Sequence, residues 1–239
     1  IVTPRVMLLS NEGTSSECVG EIWHFFEQEI GYPLTLVGYN NLNRVRLSDF
    51  DVIIMADGNY PGLPGDKLQS WVKDGGKLIA MQDAVSQLVD KKGFEVKLKD
   101  SDKDKKDDIN KGEAVKSYGT RDREAIKSSV PGAIYKIQLD NTHPLGYGLP
   151  AFYYTLKLDE HIYGYLPDGD WNVGTIKDNA RVAGFVGEGS RIKIANGMLL
   201  GVQPLGRGSV VYLVDDPLFR GFWENGKLLF SNAVFMVNQ

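Results

Sequence analysis

Four polar clusters in this chain are placed where chemistry could be done: Asn11-Glu12-Gly13, Asp57-Gly58-Asn59-Tyr60, Gln82-Asp83 and Asp215-Asp216. Each follows a short apolar run that reads as a β-strand. Ligands of an open parallel sheet bind outside the carboxyl ends of its strands, so the four clusters can line one crevice. Two carboxylates in such a crevice could do acid–base work. The same residue types also make turns and helix caps. Both roles therefore stay open for Glu12, Asp57, Asn59, Tyr60, Gln82, Asp83 and Asp215.

A nucleophile is harder to find. The segment GGKLIAMQDAVSQL, residues 75–88, reads as a buried strand, a sharp exit and a short helix that Asp83 can cap. Such a corner carries the nucleophile of many hydrolases, but here it holds Met81, Gln82 and Asp83. Ser86 comes too late for the corner, and Ser15 and Ser16 lie in a capping loop. Cys18, the one thiol, falls on the apolar side of the first helix and reads as a small core residue. His24, His143 and His161 form no HxH, HxxxH or HxxE pattern, so they predict no zinc site. His143 precedes Pro144 in a Gly-rich turn and could be a base or a turn residue; His161 has no partner visible in sequence.

Other motifs read as structure. DSDKDKKDD at 100–108 begins like a calcium loop, but Lys105 and Lys111 occupy the positions that need Gly and Glu. GEGSRI and GRGSVV lack the third glycine of a dinucleotide fingerprint and read as turns. Tyr147, Phe152, Tyr153, Tyr154, Tyr163, Tyr165 and Trp171 crowd together and could stack on sugars or peptide side chains. Alternation in FYYTLKL directs about half of them into a sheet face.

The elements that must position these residues alternate. RVMLL, PLTLV, DFDVIIMADG and KLIAMQ read as strands, with helices over ECVGEIWHFFEQEI and DKLQSWVKDGG. Thr14 and Glu17 form a candidate capping box. This rhythm predicts a doubly wound α/β sheet. Residues 91–130 break it as a charged insertion, and about 131–200 turn β-rich, with AIYKIQL, FYYTLKL, HIYGYLP, WNVGTI and RVAGFVG as strands. MLLGVQPLGRGSVVYLVDDP reads as two strands joined near Gly206–Gly208. A helix over 220–237, with Phe222, Leu229, Phe230, Val234 and Val237 near one face, completes the sheet.

The whole chain, 239 residues at 42% hydrophobic, can bury a sizeable core as one large domain. A net charge of -4 gives no basic field for nucleic acid or anionic lipid, and no apolar run reaches a membrane span. A single cysteine rules out an internal disulfide. The abrupt start at Ile1 reads as a domain excised from a longer protein.

Four ordered segments carry a family resemblance: LLSNEGTSSECVGEIWHFFEQEIGYPLTLV, LNRVRLSDFDVIIMADGNY, LQSWVKDGGKLIA and GRGSVVYLVDDPLFRGFWENGKLLFSNAVF. Together they resemble the C-terminal domain of bacterial, Bacteroidetes-type zinc carboxypeptidase-like proteins of the carboxypeptidase A superfamily, a domain similar in fold to class I glutamine amidotransferases. DNTHPLGYGL also resembles a segment of the trehalose-utilisation-like branch of that fold. The resemblance implies a flavodoxin-like three-layer α/β sandwich, mostly parallel, spanning 1–239 with a β-rich insertion. It implies a peptidase domain upstream in the same chain as partner, zinc held there and no cofactor here, and a periplasmic or secreted location. The amidotransferase Cys, late His and Glu cannot be carried over: Met81-Gln82-Asp83 and Asp215-Asp216-Pro217 stand in their places. The expectation is a non-catalytic accessory domain, stabilising or binding peptide or glycan. The alternative is a hydrolase or carbohydrate-binding module that uses Asp83, Asp57, Glu12 and His143, with the tyrosines as platform.

Overall fold

Four apolar runs are buried along their whole length: Val6–Ser10 (β1), Val52–Met55 (β3), Lys77–Met81 (β4) and Gly208–Leu213 (β10). Burial without alternation requires cover on both faces, the condition of a central parallel strand. The structure, a computed structural model, describes residues 3–99, 119 and 121–237. With Leu34–Gly38 (β2) these strands form a parallel half in the order β2-β1-β3-β4-β10.

The β-rich segment continues the same sheet with antiparallel strands. Gly197–Leu205 (β9) pairs with β10 through a hairpin whose turn holds Gly206 at φ +64°. Trp171–Ile176 (β7), Gly132–Leu139 (β5) and Phe152–Lys157 (β6) follow, and Arg181–Phe185 (β8) pairs with β5. The fold is thus flavodoxin-like α/β, its parallel core extended by an antiparallel wing.

Helix Ser16–His24 (α1) runs on into a π-helical turn, Phe25–Glu29. Phe25 and Phe26 meet Phe230 of the last helix, Glu224–Phe235 (α6), edge to face at 5.5 and 6.2 Å. Those two helices therefore pack side by side. Gly65–Lys73 (α2) is fixed by Trp71, whose indole N–H donates to the Phe50 carbonyl. The short helix Asp83–Ser86 (α3) follows β4; Arg121–Lys127 (α4) and Glu188–Ile194 (α5) flank the wing.

Several expectations are corrected. Ser15, not Thr14, caps α1, its hydroxyl accepting from the Cys18 N–H; the Thr14 hydroxyl instead donates to the Asn11 carbonyl. GEGSRI is no turn but the start of α5, because Ser190 and Ile194 fall one turn apart and are both buried. HIYGYLP forms no strand; Tyr163 alone makes single bridges, to Leu98 and Met198. Phe222 lies before α6 and is 58% exposed, whereas Leu229, Phe230, Val234 and Val237 are buried. The charged insertion starts later than residue 91: Phe94 and Val96 are buried, and Gln203 holds this stretch through the Glu95 N–H and Gly93 carbonyl. The calcium-loop-like segment 100–108 lies outside the described residues.

Candidate functional site: the crevice at the strand ends

The corner after β4 is a strained elbow. Gln82 adopts φ 50°, ψ -122°, a conformation that disfavours any residue with a Cβ. Its backbone N–H donates to the Leu213 carbonyl of β10, which fixes the turn against the sheet. In hydrolases with such an elbow, the N–H of the next residue helps to bind the oxyanion. Here that N–H belongs to Asp83 and donates to Asp57 Oδ1 at 3.1 Å. A carboxylate thus occupies the donor that a tetrahedral intermediate would need. Asp57, not Asp83, caps this helix start. Burial pushes the Asp57 carboxyl up; the Asp83 N–H pulls it back, and the charges of Asp83 and Asp159 add to the rise. Replacing Gln82 by Gly should stabilise the protein by about 1 kcal/mol in urea denaturation, since relieving roughly 1–3 kcal/mol of strain outweighs the added chain entropy.

The antiparallel wing completes the crevice. Strand β6 runs in the same sense as β10, because each intervening pairing (β10–β9, β9–β7, β7–β5, β5–β6) reverses direction. Its carboxyl end therefore arrives beside those of the parallel strands, and the sheet coils enough to bring them into contact. Thr155 and Lys157 bond both oxygens of Asp215, each at 2.6 Å, and Lys157 also donates to the His161 carbonyl. Burial pushes the Asp215 carboxyl up, while the Lys157 ammonium and Thr155 hydroxyl pull it back toward the ionised form. Beyond Lys157 the chain turns through Asp159, which accepts from the His161 N–H at 2.8 Å. The turn delivers His161 Nδ1 to 3.1 Å from Asp83 Oδ1 and 3.5 Å from Asp159 Oδ2.

On the α1 side, Asp216 accepts from the Leu218 N–H at 2.8 Å, and burial first, then neighbouring Glu21, pushes its carboxyl up to about 8. Glu21 accepts from the Arg220 N–H at 2.7 Å. Cys18 is buried beneath them, its Sγ 3.4 Å from the Asp57 N–H. Burial first, then the nearby Asp216 charge, holds its thiol well above the ordinary range. A thiol kept protonated is a poor nucleophile.

The predicted site residues divide. Asp57, Gln82 and Asp83 meet at the elbow, whereas Asp215 is buried in an ion pair with Lys157. Glu12 and Asn59 are exposed in adjoining loops, held together by the Asn59 N–H on the Gly13 carbonyl and by an approach so close that a Cβ on Gly58 would lie 2.3 Å from that oxygen. Tyr60 is 1% exposed and donates its hydroxyl to the Ala56 carbonyl, so it belongs to the core. His143 follows β5, which runs opposite to β10, and lies toward the other end of the sheet. There its Nδ1 accepts from the Leu145 N–H and its ring packs 5.6 Å from Trp171. It is a turn residue whose burial disfavours the charged imidazole. The aromatic cluster divides too: Tyr153 and Tyr163 are buried, while Tyr147, Tyr154, Tyr165 and Trp171 are exposed.

Sequence reading missed Glu21, Lys157, Asp159 and His161. A signal existed for one: alternation places Tyr153, Thr155 and Lys157 on a single buried face, and an inward lysine demands a buried carboxylate. Among the described residues, no group of three or more His, Cys, Asp or Glu is placed to hold a metal ion, and no helix is long and apolar enough to cross a membrane.

Comparison with solved structures identifies the fold. The chain superposes on a cytoplasmic protein of Salmonella typhimurium with a TM-score of 0.55 at 12% identity, covering 98% of this chain and 100% of that one. A GMP synthase-like protein from Thermoplasma acidophilum gives 0.55 at 10% identity, covering 97% and 92%. A ThuA-like protein from Parabacteroides merdae gives 0.51 at 13%, covering 98% and 90%. An exo-β-1,4-mannosidase from Opitutaceae bacterium strain TAV5 matches 99% of this chain with a TM-score of 0.50 at 14% identity, but the match spans only 36% of the mannosidase. No protein-family model and no curated protein sequence matches. The fold is thus glutamine amidotransferase-like.

Proposed function

We propose that this chain is an amidotransferase-like accessory domain without amide-hydrolysing chemistry. One observation carries the proposal: the elbow keeps its strained backbone, but Gln82 occupies the nucleophile position and the Asp57 carboxylate holds the Asp83 N–H. The position after β10 supports it further, because Asp215 is buried against Lys157 and Thr155 and cannot orient a base. The domain would then serve a larger protein by stabilising it or by presenting the strand-end crevice to a peptide or glycan. The mannosidase likeness supports such a setting, since there the same fold is about a third of a longer chain. The four-segment sequence resemblance supports a more particular parent: an exported zinc carboxypeptidase-like protein, with zinc bound in its peptidase domain.

The test is an assay of the purified chain for ammonia release from glutamine, for peptidase activity and for bound zinc. All three are expected to be absent. Turnover that survives both Cys18→Ala and chelator treatment would defeat the proposal.

A further inference from the structure

We propose that the open edge of the sheet at β2, with the groove between β2 and α1, binds an extended basic peptide segment as an added strand. Strand β2 ends the sheet: it pairs with β1, and among the described residues no strand pairs with its other side. Every second backbone N–H and C=O of an edge strand points outward, ready to pair with another chain. Proteins usually blunt such an edge with charge, proline or a bulge. Leu34–Gly38 carries none of these: it reads LTLVG and runs in unbroken register along β1.

Beside this edge lies a groove of about 280 Å³. Val19 and Trp23 of α1 and Leu36 of β2 form its apolar wall, and Asn11 and Ser16 contribute polar groups. Trp23 is 42% and Leu36 46% exposed, so the fold leaves this apolar surface bare. Gly20 also lines the groove. It stands in the middle of α1, where glycine weakens a helix. No side chain or neighbouring element lies within 4 Å of where its Cβ would be, so packing within the fold does not call for glycine there. What the missing side chain does is keep the groove open. Side chains two apart on an added strand would fall on the α1 face beside Leu36, where the groove can take them.

Charge selects the occupant. Residues 11–38, which run from the end of β1 through α1 to the end of β2, contain five glutamates and neither lysine nor arginine. Glu29 is answered by Lys227, and Glu21 accepts from the Arg220 N–H. Glu12, Glu17 and Glu27 are exposed. A second copy pairing through β2 would set these glutamates against their equals, which disfavours it. A segment with lysine or arginine flanking two alternate apolar residues meets them with opposite charge. None of Asp57, Gln82 and Asp83 lines the groove. Peptide binding here therefore stands or falls apart from the reading of the elbow.

The probe is a labelled synthetic peptide, Lys-Lys-Leu-Thr-Leu-Lys-Lys, titrated with the full chain at low salt and followed by fluorescence anisotropy. Saturable binding is expected. Replacing the peptide's lysines by glutamate should weaken it at least about tenfold, because several exposed charge pairs change sign together. N-methylating its three central amides removes the donors of the added strand and should also cost at least about tenfold. Gly20→Leu fills the groove with a better helix former; it should keep or raise Tm and weaken binding at least about tenfold. Leu36→Lys, at an exposed position, sets a cation beside Trp23 and should act in the same direction if Gly20→Leu does not fold. Absence of saturable binding would overturn the proposal, as would binding that is unchanged by N-methylation or by whichever variants fold. A dimer in sedimentation equilibrium that Gly20→Leu dissolves would overturn it too, because a second copy would then cover the edge.

Discussion

Replacing Lys157 by Met is expected to destabilise the protein by about 3–5 kcal/mol, the usual cost of breaking a buried ion pair from one side. Lys157 is fully buried and makes its two shortest contacts, at 2.6 Å, with Asp215 and the His161 carbonyl. Without it, Asp215 keeps only the Thr155 hydroxyl in a site that burial already biases toward the neutral acid. The sign of the pH dependence follows. A carboxyl whose folded pKa is raised binds a proton on folding, so the variant should lose more stability at pH 8 than at pH 5. Urea denaturation at the two pH values reads both effects. Adding Asp215→Leu to Lys157→Met should recover much of the loss, because replacing both members of a buried pair by apolar groups is often close to neutral. The single variant should also loosen the turn that carries His161 to Asp83.

Phe230→Ala should cost a similar amount, about 3–5 kcal/mol, as for other large-to-small aromatic changes in a core. Phe230 is fully buried, and its ring meets those of Phe25 and Phe26 edge to face. The residual cavity would lie between α6 and the π-helical turn that continues α1. Differential scanning calorimetry should show a fall in Tm of roughly 10 °C for a chain of this size. The Asp57–Asp83 contact lies at the ends of β3 and β4 and involves none of the three rings, so it should be preserved.

Much of this architecture can be read from the sequence because burial on both faces of a parallel strand leaves an uninterrupted apolar run. DVIIMADG and KLIAMQ are such runs, and each ends on residues that line the crevice. The β9–β10 hairpin is equally visible, since Gly206 supplies the positive φ that its turn needs. The elbow can be located but not read in full: KLIAMQD places the corner, yet only the folded chain gives Gln82 its backbone angles and Asp83 its partner Asp57, twenty-six residues earlier. The wing is where local patterning fails. His143 looks like a candidate beside Pro144, and His161 looks isolated. Strand direction reverses their standing, because β5 carries His143 away from the parallel carboxyl ends while β6 carries His161 toward them. Strand sense depends on pairings between segments far apart in the chain, which no local window contains. Tyr60 fails for another reason: its position suggests a crevice, and its hydroxyl is taken up by the Ala56 carbonyl within the core.

On the reading proposed above, this elbow has lost more than a nucleophile, because its oxyanion donor is occupied as well. The decisive experiment is ammonia release from glutamine by a Gln82→Cys variant, which restores the thiol at the strained position. With the Asp83 N–H bonded to Asp57, and Asp215 buried against Lys157, that variant should give no glutamine-dependent ammonia above the unsubstituted chain at any substrate concentration. Saturable, stoichiometrically inhibitable release of ammonia would show that the donor is free to bind an oxyanion, and the non-catalytic reading would fall.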